Sequence, residues 1–342
     1  MPQIEFEEPS PIFDDVGKPI NFGWSRYPVF KYSPALIWAP RRLITESERY
    51  FIFSPTQLFV FEIYDGGLSG HIRTVAVHLL DKKIFVKTEK LTFPMGGLEL
   101  PDDTEAESVR LKNRTALIEF IIMNKESKII KVDIHDLKHH SPLRGEVVLT
   151  RPLTSQSMVS NSPWNNEKNC FQLLRCSPCY AVEGVMQFEN TSVVFTDRNS
   201  FGIYESKRAV RPAQDLHYWA CGCGFYEDRQ IGFSIGYGLA DSSFGTENAF
   251  FVQGKLHKLD VVTFKIPHSN WLLPWYFTSS NNRLEMTFTP VQFYTNKLYL
   301  LVYSYRIVQA FGFFSGKVVL DDGSVFNFKN ITGFAERRKS TY

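Results

Sequence analysis

No apolar run in this chain approaches the ~20 residues that a membrane helix needs, so no integral membrane segment is expected. No charge of one sign dominates either. The sequence has 38 basic and 36 acidic residues, a net +2. That leaves no electrostatic footprint for DNA or RNA and no polybasic membrane patch. The Arg337-Arg338-Lys339 tail reads as a solvated end. The opening MPQIEFEEPSP has no basic region followed by an apolar one, so it does not read as a signal peptide. Cysteine is sparse and odd in number, at 5. Without a secretion signal, reduced thiols and a cytoplasmic location are expected.

Several chemistries lack their signatures. There is no G-x-S-x-G elbow, phosphate loop, dinucleotide fingerprint or H-E-x-x-H. Hydrolase, kinase and dehydrogenase classes lose ground, and no cofactor is expected. Lyase or isomerase chemistry stays open, because it needs only one or two placed acid–base groups. Helical patterns are scarce as well.

Aromatic residues are abundant, at 15%, with 30 Phe and 15 Tyr. Aromatic-rich short runs point to β-structure. Strands are expected at 50–53, 58–64, 72–80, 84–88, 116–123, 128–134, 147–149, 180–188, 192–195, 261–266 and 283–289, with a long run over 298–314. Asp322-Gly323 marks a further hairpin. Met1–Lys18 reads as an extended arm. Pro152–Lys168, rich in Ser, Asn and Pro without periodicity, reads as a domain boundary. The expected fold is all-β with little helix: two β-barrel or β-sandwich domains packed together, over 1–151 and 152–342.

The stretch 199–258 organises the second half. In 217–226, large residues alternate with small ones, and in 231–239 glycine or serine alternates with Ile231, Phe233, Ile235, Tyr237 and Leu239. Period 2 reads as strand, with Glu227-Asp228-Arg229-Gln230 as the turn. An even loop sets each glycine opposite a bulky side chain, which repairs a weak strand position. A turn of two or four residues is expected to set Gly222 facing Ile235, Gly224 facing Phe233, Trp219 facing Gly238 and Phe225 facing Gly232. Clustered strand glycines mark either tight curvature or close approach by a ligand.

Each candidate group has a plain alternative. Cys176 and Cys179, with Cys221, Cys223 and nearby Cys170, could supply zinc thiolates, but one residue between 221 and 223 is short for a zinc knuckle. Free thiols are the expectation, with no metal. His139-His140 reads as a solvated pair, whereas His217 and His257 lie on strands. The polar run Asp241–Asn248 sits between apolar strands. At a barrel mouth it could order a substrate or move protons, or be a loop tied by its own bonds. Glu205 and Glu285 are further acids. Arg208 could clamp an anion or pair with Glu205.

Taken together, certain short motifs resemble the domain of unknown function 2804 family. They are SFG at 200–202, Arg208 with Pro212, Tyr218-Trp219, GF…GYG at 232–238, TEN at 246–248 and HKL at 257–259. W-x-FTS at 275–279, R-x-EM-x-F at 283–288, FG-x-FSG at 311–316, DDG at 321–323, GFAE at 333–336 and GWSR at 23–26 fit too. The chain departs from the family at Glu205–Ala209, where an Asp-Trp-Gly-Arg-Gly run is usual, and at Cys221-Gly222-Cys223. More remotely it is similar to lipocalin-like two-barrel proteins that include carotenoid hydratases and tocopherol cyclases. That resemblance implies two barrel-like domains and an apolar pocket.

The expected function is binding of an apolar or amphipathic small molecule in a β-barrel pocket. Trp24, Arg26, Arg208, His217, Trp219, Asn248 and Glu285 would anchor it. The alternative is a lyase- or isomerase-type enzyme, a hydratase or cyclase, with Glu247 or Asp241 as the acid–base group. A third reading, an interaction protein, requires a large exposed apolar patch and no cavity.

Overall fold

The structure is a computed structural model that describes residues 3–103, 105–135, 142–164, 167–188, 191–238, 240–299 and 304–341. Among them the only helical turns are two short 3-10 segments, Pro34–Leu36 and Arg41–Leu43. Nearly all other regular structure is antiparallel sheet. The two large sheets have 13 and 9 strands, and Ser10–Pro11 pairs in parallel with Phe30–Lys31 as a small third.

The first sheet orders its strands from Lys83–Thr92 through Ser69–His78, Gln57–Asp65, Ile44–Phe53, Phe201–Val210 and Glu167–Phe188. It continues through Leu143–Thr150, Ser127–Ile134 and Ala116–Ile122 to Val109–Lys112. The long Glu167–Phe188 strand serves several partners because it bulges between Ser177 and Tyr180. Cys179 there has φ +67°, and the extra residues bend the strand. The second sheet is centred on Gln214–Tyr226, Val325–Thr341 and Ser304–Val319.

Period-2 alternation gives each curled sheet two buried faces. On Phe201–Val210, Tyr204 points into the first barrel and Ile203 onto the second sheet. Phe59, Phe61, Phe120, Phe188 and Phe195 fill the first barrel. Phe233, Phe250, Phe277, Phe288 and Phe314 fill the second. The aromatic richness therefore goes mostly into solid barrel interiors. A third cluster joins the sheets, setting Phe51, Phe53 and Ile203 against Trp219, Cys221, Phe311 and Phe334. We call this layer the seam.

The even-loop hairpin is present, but its turn is only Glu227-Asp228, both at positive φ. Arg229 and Gln230 extend the strand instead. The register is two residues from the expected pairing, which a two-residue turn does not give: Gly222 faces Phe233, Gly224 faces Ile231, Trp219 faces Gly236 and Phe225 faces Gln230. Gly222 still meets a ring, and an added Cβ there would lie 2.9 Å from the Phe233 side chain.

Three other segments differ from expectation. Pro152–Lys168 contains a strand, Met158–Trp164, whose serines face the seam cleft, so no apolar alternation advertises it. The 298–314 run divides between Leu284–Tyr299 and Ser304–Val319, which pair with each other. The N-terminal arm is packed down: Ile12 is buried, and the Ile4 amide donates to the Phe244 carbonyl. The expected division at 151/152 falls within the first sheet, because strands on both sides pair with Glu167–Phe188. Sheet membership changes instead between Val210 and Gln214. Leu239 and His139-His140 lie outside the described residues.

Candidate functional site

The seam is apolar at one end and charged at the other. On the first sheet the charged side chains are Arg49, Glu62, Arg73, Glu205 and Lys207, all buried. On the second they are Asp215, Glu336 and Arg338. Arg49 donates to Glu205 at 2.9 Å and to Glu336 at 3.1 Å, and lies 4.7 Å above the Trp219 ring. Burial raises the Glu205 carboxyl, with Arg49 opposing it only in part. Burial also pushes on Glu336, but there Arg49 and Arg338 win and hold it below the usual range. Two carboxylates that share one guanidinium are thus driven apart. Further along, Glu62 accepts from Arg73 and sits 3.2 Å from His71, and Arg338 lies 3.8 Å from Asp215. Lys207, at the same end, is pushed down to about 8 by burial and by Arg338.

Next to this band lies a cleft of ≈ 70 Å³ between Met158–Trp164 of the first sheet and the 240–248 loop of the second. Its centre is a dyad. His217 Nε2 lies 2.6 Å from Glu247 Oε1, with both residues buried. Gly236, across the hairpin, leaves the space: an added Cβ would fall 1.7 Å from Glu247 Oε1. Asn248 fixes the loop end, accepting from the Gly236 amide at 2.6 Å and donating to the Asp260 carbonyl at 3.0 Å.

Four side chains of this lining carry a buried polar atom with no partner among the described residues: His217 Nδ1, Glu247 Oε2, Gln172 Oε1 and Trp164 Nε1. Such an atom costs about 1–3 kcal/mol, and four in one cleft suit the polar end of a guest. In the tautomer with its proton on Nε2, His217 donates to Glu247 Oε1 and Nδ1 keeps a lone pair. The pair is then a base aimed by a carboxylate, and becomes an acid once Nδ1 is protonated.

The sequence candidates separate into groups. His217, Asp241, Glu247 and Asn248 all line the cleft. Asp241, however, accepts from the Ser243 amide at 2.9 Å, which ties its own loop. Trp24 lies beside the cleft loop, between Arg26 at 5.2 Å and Lys258 at 5.3 Å. Arg26 donates to the Leu256 carbonyl and pairs with Glu5. Trp219 forms the floor of the Arg49 cluster and donates to Ser234. Arg208 points into the first barrel and bonds Glu48, not Glu205, because residues three apart on a strand face opposite sides. Glu285 stands on an outer face, paired with Lys317 at 2.9 Å. His257 accepts from the Asp321 amide away from the cleft.

All five cysteines are buried and unpaired. Burial raises every thiol, Cys170 to about 11 and Cys179 to about 12. Among the described residues no three His, Cys, Asp or Glu side chains converge as metal ligands. No helix there is long and apolar enough to cross a membrane.

Two curled all-β sheets joined through such a seam define a two-barrel, lipocalin-like protein. The chain belongs to the family described as domain of unknown function (DUF2804), whose pattern matches residues 3–342. The fold is similar to that of CghA, at TM-score 0.53 and 10% identity, covering 98% of this chain and 97% of that one. It is also similar to kievitone hydratase from Nectria haematococca, at TM-score 0.50 and 11% identity, covering 86% and 88%. No curated protein sequence matches the chain.

Proposed function

We propose that this protein performs acid–base chemistry of the lyase or isomerase type on a small, largely apolar molecule admitted at the seam. His217 and Glu247 form the proton-transfer pair. What supports this reading is the 2.6 Å dyad contact together with unpartnered atoms on its outer sides. Adding or removing water, or moving a double bond, needs a proton delivered at one atom and withdrawn at another. An imidazole oriented by a carboxylate can alternate between those tasks. One fold neighbour is a hydratase, and that activity makes the same demand.

At ≈ 70 Å³ the cleft is well below the roughly 300 Å³ at which ligand pockets begin. A substrate therefore enters by displacing the loop before Glu247, where Ser242 and Ser243 are exposed. Trp24 and Trp164 would then meet its apolar body, as an apolar or amphipathic ligand requires.

Native mass spectrometry of protein purified from its own cells tests the first half of the proposal. A retained small organic mass is expected, and its identity supplies the assay. The second half is tested by Glu247→Gln, which should keep the ligand and lose turnover. A Glu247→Gln variant that turns the ligand over at the parental rate contradicts the reading.

A further inference from the structure

A second cavity, of ≈ 320 Å³, opens at the mouth of the first barrel, on the far side of the Phe201–Val210 strand from the seam. It is ligand-sized, unlike the seam cleft. Phe30, Tyr32, Val159 and Leu173 form an apolar wall, and Arg175 and Arg208 form the inner end. Both arginines are buried, at 6% and 3% exposure.

Positive side chains are concentrated at this inner end. Arg151, Arg175, Arg208 and Lys128 are all buried, and the carboxylates near them are Glu46, Glu48 and Glu105. Arg151 donates to two neutral acceptors, Ser155 O and Ser157 Oγ. Ser157 bonds Ser177, which accepts from Arg175, so hydroxyls bridge two cations where a carboxylate is the usual partner. Arg208 Nε is buried and has no partner among the described residues. Burial, and then the neighbouring Arg175, depress Lys128 to about 7. Rim residues Lys31, Lys125, Asp102 and Asp103 are exposed, so water screens them.

Glu105 is the exception on this rim. Its carboxylate reaches down to Arg175 at 2.6 Å, and Arg208 holds the neighbouring Pro101 carbonyl at 2.7 Å. A carboxylate on a surface loop, itself 31% exposed, thus lies against a buried guanidinium. That is the position that a ligand carboxylate would take, with its apolar body along Tyr32 and Leu173.

We propose that the mouth of the first barrel is a second binding site, for a small carboxylate with an apolar body, and that Glu105 holds the anion position until the ligand displaces it. This site is independent of the seam chemistry. Calorimetric titration of the full chain with 4-phenylbutyrate, and separately with its neutral primary amide, tests it. One equivalent of carboxylate is expected to bind, at least about tenfold tighter than the amide. Glu105→Gln removes the competing charge from an exposed loop position and should tighten carboxylate binding about fivefold or more. Arg175→Gln should abolish the preference for carboxylate over amide, with circular dichroism confirming the fold. Equal binding of carboxylate and amide overturns the proposal. So does an unchanged affinity in Glu105→Gln, or no binding to either protein.

Discussion

Arg49 on the first sheet lies 3.1 Å from both oxygens of Glu336 on the second, with Glu205 held by the same guanidinium. This is the one hydrogen-bonded Arg–carboxylate contact that we find crossing the buried seam between described residues. Breaking a buried pair from one side leaves an uncompensated charge, at about 3–5 kcal/mol. Arg49→Met should therefore lower unfolding stability by that order, read by urea titration with tryptophan fluorescence. Replacing Arg49, Glu205 and Glu336 together with apolar residues should recover much of the loss. A single variant as stable as the parent would show that the cluster does not hold the sheets together.

Gly236 and Glu247 make a sharper case. A methyl group at 236 would overlap Glu247 Oε1, Cδ and Cγ, all atoms of one flexible side chain that must swing away as a whole. Gly236→Ala should fold, with a stability change within about 1–2 kcal/mol. It should nevertheless displace the carboxylate from His217 and reduce activity as far as Glu247→Gln does. A Gly236→Ala enzyme with parental turnover would separate the dyad from the chemistry.

Lys207 carries a pH signature. Its ammonium is pushed from 10.5 down to about 8 in the fold, first by burial and then by Arg338. Between those values the unfolded chain binds the extra proton, so stability rises with pH from about 8 to 10.5. Below about 8 both states are protonated and the cost is constant. Lys207→Met should remove this rise, worth about 3 kcal/mol at most. The check is the difference between the stability–pH curves of parent and variant. Parallel curves would place the lysine in a better-solvated setting than the seam provides.

The thiols supply a fourth expectation. All five are buried, and every one is raised above its ordinary range, so thiolate is scarce at neutral pH. Alkylation by iodoacetamide at pH 8 should be slow in the native protein and complete in urea. Purified protein should carry no stoichiometric zinc. Rapid native labelling of Cys221 or Cys223 would mean that the seam opens readily.

What the sequence disclosed, and what it hid, follows from where polar side chains go. Alternation in 217–226 and 231–238 exposed the hairpin and its glycine–ring pairing. Its exact register was hidden because Arg229 and Gln230 look like turn residues while lying in a strand. Met158–Trp164 was missed since its serines face a polar cleft rather than a core. The buried charges of the seam were illegible for the same reason: Arg49, Glu62, Arg73 and Lys207 read as surface when only composition is known. His217, Glu247 and Asn248 were marked as candidates, yet their meeting depends on the hairpin register and the loop path. Glu285 stood out equally, and its strand turns it outward. Period 2 would have separated Glu205 from Arg208, had the strand been placed first.

The most direct test of the seam account compares single-turnover rates of the parent, Glu247→Gln and Glu285→Gln on the molecule retained by the native protein. The expected result is a loss of about 10²–10⁴-fold in Glu247→Gln at unchanged ligand affinity, with Glu285→Gln at the parental rate. Parental turnover in Glu247→Gln would contradict the account and place the chemistry elsewhere.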